Sequence, residues 1–79
     1  MNGRLVPWDS EDARFCIDVY RNGSEDCSSQ GATSKEAALA EIDRIGKAKN
    51  FDIIELYQWI DDISEWGDPI DEYEAQDFE

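Results

Sequence analysis

The side chains in this sequence that could do chemistry are almost all carboxylates. The 79 residues include 20 Asp and Glu, 7 Lys and Arg and no His, for a formal net charge of −13. Without histidine the chain lacks the commonest general base and the commonest metal ligand. Neighbouring acids such as Asp61 and Asp62, or Asp71 and Glu72, would point about 100° apart on a helix and would not converge on one substrate atom. We therefore expect a protein that is not an enzyme.

The two cysteines, Cys16 and Cys27, add little chemistry. Cys16 has no histidine to activate it and is a poor candidate nucleophile. A two-residue turn at positions 22–23 would pair Cys16 with Ser29. Cys27 would then stand opposite Asp18, and the two thiols would lie on a diagonal about 7–8 Å apart, too far for an easy disulfide. The sequence lacks the remaining ligands of a zinc site, a calcium-loop motif and a phosphate loop, so we expect free thiols, no metal and no cofactor.

The negative charge is concentrated in the C-terminal part of the chain. Residues 1–50 contain nine acids and all seven basic residues, a net of −2, whereas residues 51–79 contain eleven acids and no Lys or Arg, a net of −11. Such a field repels DNA, RNA and anionic membranes and attracts basic partners. We therefore expect a basic protein surface as the partner, without direct binding to nucleic acid or membrane.

The composition is that of a folded chain. The apolar share of 41% and the aromatic share of 11% are high for a disordered acidic segment, and the length allows one domain over residues 1–79. No apolar run approaches the roughly 18 residues of a membrane span, and the first ten residues lack the apolar stretch of a signal peptide. We expect a cytoplasmic protein.

Turn signals and hydropathy predict an irregular arm at residues 1–12, followed by a near-neutral scaffold at residues 13–50. Residues 13–21 alternate between apolar and polar side chains, as in a half-buried strand. Asn22-Gly23 follows directly and is the strongest short hairpin signal. We therefore predict a return strand at residues 26–32.

A helix is expected after the hairpin. The sequence TSKE at positions 33–36 is a capping box, in which the Thr hydroxyl and the Glu carboxylate bind the first free amides of the helix. Gly46 or Asn50 would end this helix. Its predicted buried stripe comprises Ala38, Ile42 and Ile45.

Residues 51–66 fit two structures. Their β-branched and aromatic content favours a strand. A second capping box, formed by Asp52 and Glu55, and a continuous apolar arc at helical spacing favour a helix, and only Ile54 and Ser64 break that arc. We predict a helix and retain the strand as the alternative. Pro69 then opens a predicted short acidic helix at the C-terminus.

Together these elements predict an α+β fold: an antiparallel β-hairpin packed against two helices plus a short C-terminal helix, in the order ββααα. In the alternative, residues 51–66 form a further strand of the sheet. The predicted partner-binding residues lie on the acidic segment and on the edge of its apolar arc. They are Glu55, Asp61, Asp62, Glu65, Asp68, Asp71, Glu72, Glu74, Trp59 and Trp66.

The run from Asp52 to Glu79, preceded by the strand RFCIDVYRNG and the helix ATSKEAALAEIDRI, resembles small acidic inhibitors encoded by bacteriophages and other mobile elements. The resemblance is to anti-CRISPR proteins that mimic DNA, and it lies in size, charge and layout over the whole chain. It implies a stoichiometric inhibitor, located in the bacterial host cytoplasm, that occupies the DNA-binding surface of a CRISPR effector complex and prevents target binding.

Three other functions remain open from the sequence. An antirestriction DNA mimic would use the same acidic surface. So would an immunity or antitoxin protein that neutralises a basic nuclease. In the third case the acidic surface only keeps the protein in solution. The sequence predicts no oligomeric state.

Overall fold

The structure is a computed structural model that describes residues 3–23 and 25–78. Residues 1–2, residue 24 and Glu79 lie outside the described residues, and with them the start of the predicted arm and the last acid of the acidic segment. The elements are β1 (Leu5–Val6), β2 (Phe15–Arg21), β3 (Asp26–Ala32), α1 (Lys35–Ala48), β4 (Ile53–Gln58), β5 (Asp71–Glu74) and a 3₁₀ turn (Ala75–Phe78). None of the described helices is long and apolar enough to cross a membrane.

The five strands form one antiparallel sheet in the order β1-β3-β2-β4-β5. The predicted α+β class is therefore confirmed, but the ββααα layout is wrong, since the described residues contain one α-helix. The predicted helix at residues 51–66 is instead β4 and an irregular connection. The alternative of a further strand is correct for Ile53–Gln58. The predicted C-terminal helix is replaced by β5 and the 3₁₀ turn.

The hairpin of β2 and β3 matches the predicted strands but not the predicted register. Arg21 pairs with Asp26, so four residues connect the strands instead of two. Cys16 consequently lies opposite Gly31, and Tyr20 lies opposite Cys27. The prediction that Cys16 faces Ser29 is wrong by two residues, a shift that leaves every side chain on its predicted face because the period of a strand is two.

Helix α1 begins one residue later than the capping box suggests. Ser34, rather than Thr33, is the N-cap, and its Oγ accepts a hydrogen bond from the Ala37 amide. The Thr33 hydroxyl instead accepts from the Arg4 amide at 2.9 Å and so fastens the arm. The helix ends at Ala48 and is capped by Lys49, which adopts a left-handed conformation (φ 55°), so neither Gly46 nor Asn50 is the capping residue.

The hydrophobic core lies between α1 and one face of the sheet. It confirms the predicted stripe of Ala38, Ile42 and Ile45, and β2 and β4 contribute Ile17, Ile54 and Leu56, each 0% exposed. Phe78 of the 3₁₀ turn packs on this core and makes an edge-on contact with Phe51.

The opposite face of the sheet points away from α1, because side chains alternate between the two faces of each strand. We call it the open face. Its residues, by strand register, are Val6, Cys16, Asp18, Tyr20, Cys27, Ser29, Gly31, Ile53, Glu55, Tyr57, Glu72 and Glu74.

Candidate protein-binding surface

Three carboxylates cross the open face side by side. Asp18 of β2 lies opposite Glu55 of β4, and Glu55 lies opposite Glu72 of β5. We call these three residues the acidic row. Like charges directly across a strand pair destabilise a sheet, so the acidic row lowers the stability of the fold.

Two tyrosines flank the acidic row, and each is hydrogen-bonded to Glu55. The Tyr57 hydroxyl donates to Glu55 Oε1 at 3.3 Å. Burial first, then the charges of Glu55 and Asp18, raise the pKa of Tyr57. The pKa of Tyr20 is also raised, chiefly by its hydrogen bond to Glu55 and then by burial. Both phenols therefore stay protonated and can donate to the carboxylate between them.

The basic residues are segregated from the acidic row. Among the strand residues that the structure assigns to the open face there is no Lys or Arg. On the other side of the molecule, α1 carries Lys35, Arg44 and Lys47. Arg44 and Lys47 form ion pairs along the helix with Glu41 and Asp43. The charge asymmetry of the sequence thus becomes an asymmetry between two faces of one sheet.

The connection between β4 and β5 carries more exposed acids beside this face. Ile60 pairs with Glu65 in an isolated bridge that closes a tight loop. The rings of Trp59 and Trp66 meet edge to face, with centroids 5.2 Å apart, at the base of that loop. Gly67 takes a φ of 70°, and a Cβ there would lie 2.5 Å from Ile60 Cδ1, so the connection needs glycine at this point.

The predicted site residues fall into three places. Glu55, Glu72 and Glu74 are on the open face. Asp71 lies on the face toward α1, where its carboxylate accepts from the Tyr73 hydroxyl at 2.9 Å. The remaining residues share the β4–β5 connection and are Asp61, Asp62, Glu65, Asp68, Trp59 and Trp66. The single helical face predicted to unite them is absent, and the strand pairing of β4 with β5 brings the first group together instead.

An aromatic cleft opens beside the acidic row. It has a volume of about 160 Å³ and is lined by Trp8, Cys16, Asp18, Ser29, Tyr57 and Trp66. A second, larger cleft of about 420 Å³ shares two of these residues, Trp8 and Trp66, and extends beneath the arm to Arg14 and Trp59. Trp8 is 49% exposed, so its ring forms a wall of both clefts rather than part of the core.

Of the six residues that line the aromatic cleft, only Trp66 was a predicted site residue. The five that were not predicted are Trp8, Cys16, Asp18, Ser29 and Tyr57. The alternation of residues 13–21 already places Asp18 on the outer face of β2, and that signal could have found it. Tyr57 becomes visible only once β4 is a strand, and nothing in the sequence of the arm places Trp8 over the sheet.

Cys16 does not offer an activated thiol. Burial, then the nearby Asp18 carboxylate, raises the pKa of Cys16 to about 12. Its Sγ lies 3.4 Å from Asp18 Oδ1 and acts as a hydrogen-bond donor. Cys27 is exposed, and both cysteines are free. The described residues contain no group of three or more His, Cys, Asp or Glu side chains arranged to hold a metal ion.

No protein-family model, curated protein sequence or solved structure matches this chain.

Proposed function

We propose that this protein is a non-enzymatic inhibitor that blocks a basic nucleic-acid-binding site by presenting its open face in place of DNA phosphates. The observation that carries the proposal is the acidic row, three carboxylates side by side with no Lys or Arg among them. A basic groove that normally holds phosphates would neutralise the row and release its own bound anions.

The spacing of the row supports this reading. Neighbouring strands lie about 4.8 Å apart, so three adjacent strands place three charges over about 10 Å. One strand of DNA carries a phosphate for every 3.4 Å of helix rise, or about three over the same length. The exposed acids of the β4–β5 connection, including Asp61 and Asp62, would extend this charge beyond the sheet.

The energetic cost of the row also favours a binding role over solubility. Charges that serve solubility can stand apart, whereas opposed carboxylates repel each other within the folded protein. Glu55 is half-buried and accepts a hydrogen bond from the Tyr57 hydroxyl, so its carboxylate is held beside the two acids that face it. A cationic partner would relieve that repulsion.

The resemblance in size, charge and layout favours a CRISPR effector complex as the target, with the protein acting as an anti-CRISPR that prevents binding of target DNA. A restriction enzyme and a basic toxin nuclease present similar phosphate-binding grooves. The acidic row is complementary to all three, and a competition experiment separates them.

The test is displacement of DNA from purified effector complexes, restriction enzymes and nucleases in parallel. We expect the wild-type protein to release DNA from one of these classes. The triple variant Asp18→Asn, Glu55→Gln, Glu72→Gln should be weaker by on the order of tenfold or more. Failure of the wild type at saturating concentration in every class would overturn the proposal.

A matched control distinguishes the acidic row from net charge. The variant Glu25→Gln, Glu36→Gln, Asp43→Asn removes the same number of charges from exposed positions on the hairpin turn and on α1. We expect it to displace DNA as well as the wild type. Equal losses in both triple variants would mean that overall charge, and not the open face, is responsible.

A further inference from the structure

We propose that the aromatic cleft binds one arginine side chain of the basic partner, an inference that rests on the proposed function and specifies its central contact. The cleft combines three aromatic rings with one carboxylate in a volume of about 160 Å³. Pockets for drug-sized ligands start near 300 Å³, so this volume suits a single side chain.

The walls of the cleft suit a planar cation. A guanidinium group within about 6 Å of an aromatic ring is attracted to its face, and tryptophan binds it best. Trp8 is exposed and contributes one ring, whereas Trp66 is half-buried and held by its edge-to-face contact with Trp59. One wall is therefore fixed in place and the other is accessible to a partner.

Asp18 supplies the charge at the same cleft. The Ser29 hydroxyl donates to its Oδ1 at 2.8 Å, and the Cys16 thiol donates to the same oxygen at 3.4 Å. These two bonds orient the carboxylate, and neither of them occupies Oδ2. Glu55 stands directly opposite on β4 and adds a second negative charge nearby.

Arginine fits this arrangement better than lysine. Its planar guanidinium can stack on a ring and donate in the plane to a carboxylate at the same time, and it is less strongly hydrated than an ammonium group. None of the residues that line the cleft is Lys or Arg. Arg14 lines only the neighbouring cleft, where its guanidinium donates to the carbonyl oxygens of Glu11 and Ala13.

The test titrates the intact protein with N-acetyl-arginine amide, with N-acetyl-lysine amide and with N-acetyl-glutamine amide, followed by two-dimensional NMR. We expect saturable, millimolar binding of the arginine probe, with shifts at the indole N–H groups of Trp8 and Trp66. The lysine probe should bind at least threefold more weakly, and the glutamine probe should leave the spectrum unchanged. Equal binding of all three probes, or no binding of arginine at 100 mM, would overturn the inference.

Variants separate the two contributions to binding. Asp18→Asn should weaken arginine binding at least fivefold, whereas Asp43→Asn, on α1, should leave it unchanged. Trp8→Leu keeps an apolar cover over the sheet but removes the π face, and should weaken binding by a similar factor. If both cleft variants bind the arginine probe like the wild type, the cleft is not the site.

The two proposals can fail separately. If the arginine probe binds and the protein displaces DNA from no complex, the cleft inference stands and the proposed function is wrong. If the wild type displaces DNA but arginine does not bind, the acidic row acts without the cleft and the inference is wrong.

Discussion

Glu55 lies at the centre of the acidic row. It lies opposite both Asp18 and Glu72, and the Tyr57 hydroxyl donates to it. The hydrogen bonds from the flanking phenols offset part of the repulsion, since a bond to a charged group is stronger than one between neutral groups. The carboxylate of Glu55 is therefore held in a fixed position, although repulsion from the two acids opposite it destabilises the fold.

The substitution Glu55→Gln should make the protein more stable. Gln keeps the acceptor oxygen for the tyrosine and removes two like-charge contacts, each worth about 0.2–1 kcal/mol. We expect the free energy of unfolding, measured with urea at low salt, to rise by roughly 0.5–1.5 kcal/mol. Glu25→Gln, in the exposed turn, should change it by less than about 0.5 kcal/mol. A destabilised Glu55→Gln would show that the hydrogen bonds outweigh the repulsion.

Cys16 should make the fold sensitive to alkaline pH. Its pKa is about 12 in the folded protein against an ordinary value of 9.0, so the folded state holds the proton over a range in which the unfolded state releases it. A group whose folded pKa is raised in this way stabilises the fold below its unfolded pKa, and the contribution is lost as the pH rises from about 9 to 12. The free energy of unfolding should fall across that window.

The variant Cys16→Val isolates this effect, because it fills a similar buried volume without a titrating group. Its loss of stability between pH 9 and 12 should be smaller than that of the wild type in urea unfolding under reducing conditions. Tyr20, Tyr57 and Tyr73 retain their raised pKa values in both proteins and contribute equally. The exposed Cys27 provides the comparison. It is a lesser cause of the raised pKa of Cys16 than burial and Asp18, so Cys27→Ala should depart from the wild-type curve less than Cys16→Val does. If the free energy of unfolding falls equally between pH 9 and 12 in Cys16→Val and in the wild type, Cys16 is not the source of the loss.

At the scale of elements, β4 shows why local sequence spacing alone predicts the wrong secondary structure. Residues 51–66, which include β4, satisfy helical spacing well, and a helix would place their apolar side chains on one continuous arc broken only by Ile54 and Ser64. Ile54 is 0% exposed in the structure. It pairs with Val19. Strand β2 needs a partner strand along this edge, and β4 is that partner. The residue that broke the helical pattern was thus the strongest evidence against it, and the deciding contact was tertiary, beyond the reach of local spacing.

The hairpin shows the opposite case, in which alternation predicted the faces of the strands but not their register. The faces follow from local pattern, whereas the register depends on the length of the loop. Asn22 and Gly23 both adopt positive φ, as an Asn-Gly turn predicts, yet the loop extends to residue 25. The candidate site divides in the same way: the sequence predicted Glu55, Glu72 and Trp66, while the place of Trp8 depends on how the arm folds back.

Gly46 tests the docking of the 3₁₀ turn on α1. A Cβ at this position would lie 2.3 Å from the ring of Phe78. Gly46→Ala raises helix propensity by about 1 kcal/mol, so a helix without this contact would become more stable. We expect instead a protein destabilised by roughly 1–2 kcal/mol, because the ring must leave the core. Thermal unfolding measures the loss, and limited proteolysis should cleave first in the displaced C-terminal turn.

The control for this prediction is the double variant Gly46→Ala, Phe78→Ala. Without the aromatic ring the added methyl group has room, so Gly46→Ala should stabilise the Phe78→Ala background. A methyl group that destabilises both backgrounds to the same extent would mean that the close approach to Phe78 is not the cause.

At the scale of the whole molecule, the net charge of −13 is organised by the sheet. The helix side mixes both signs and forms ion pairs, whereas none of the ion pairs among the described residues involves the acidic row. The strand period of two produces this separation, because it sends the apolar residues of β2 and β4 to the core and their acids to the other face. One sheet thus packs against the helix with one face and presents the acidic row, the proposed interaction surface, on the other.

Salt should therefore stabilise this protein. Raising sodium chloride from 20 mM to 500 mM shortens the Debye length from about 20 Å to about 4 Å and screens the opposed pairs of the acidic row. At about 0.2–1 kcal/mol for each of the two opposed pairs, we expect the free energy of unfolding to rise by roughly 0.4–2 kcal/mol. The triple variant Asp18→Asn, Glu55→Gln, Glu72→Gln should respond much less. The control Glu25→Gln, Glu36→Gln, Asp43→Asn keeps the acidic row and loses the Asp43–Lys47 ion pair that salt weakens, so its response should be at least that of the wild type. Equal responses from both variants would mean that salt screens the total charge of the protein. The acidic row would then not be a distinct source of repulsion for the proposed basic partner to relieve.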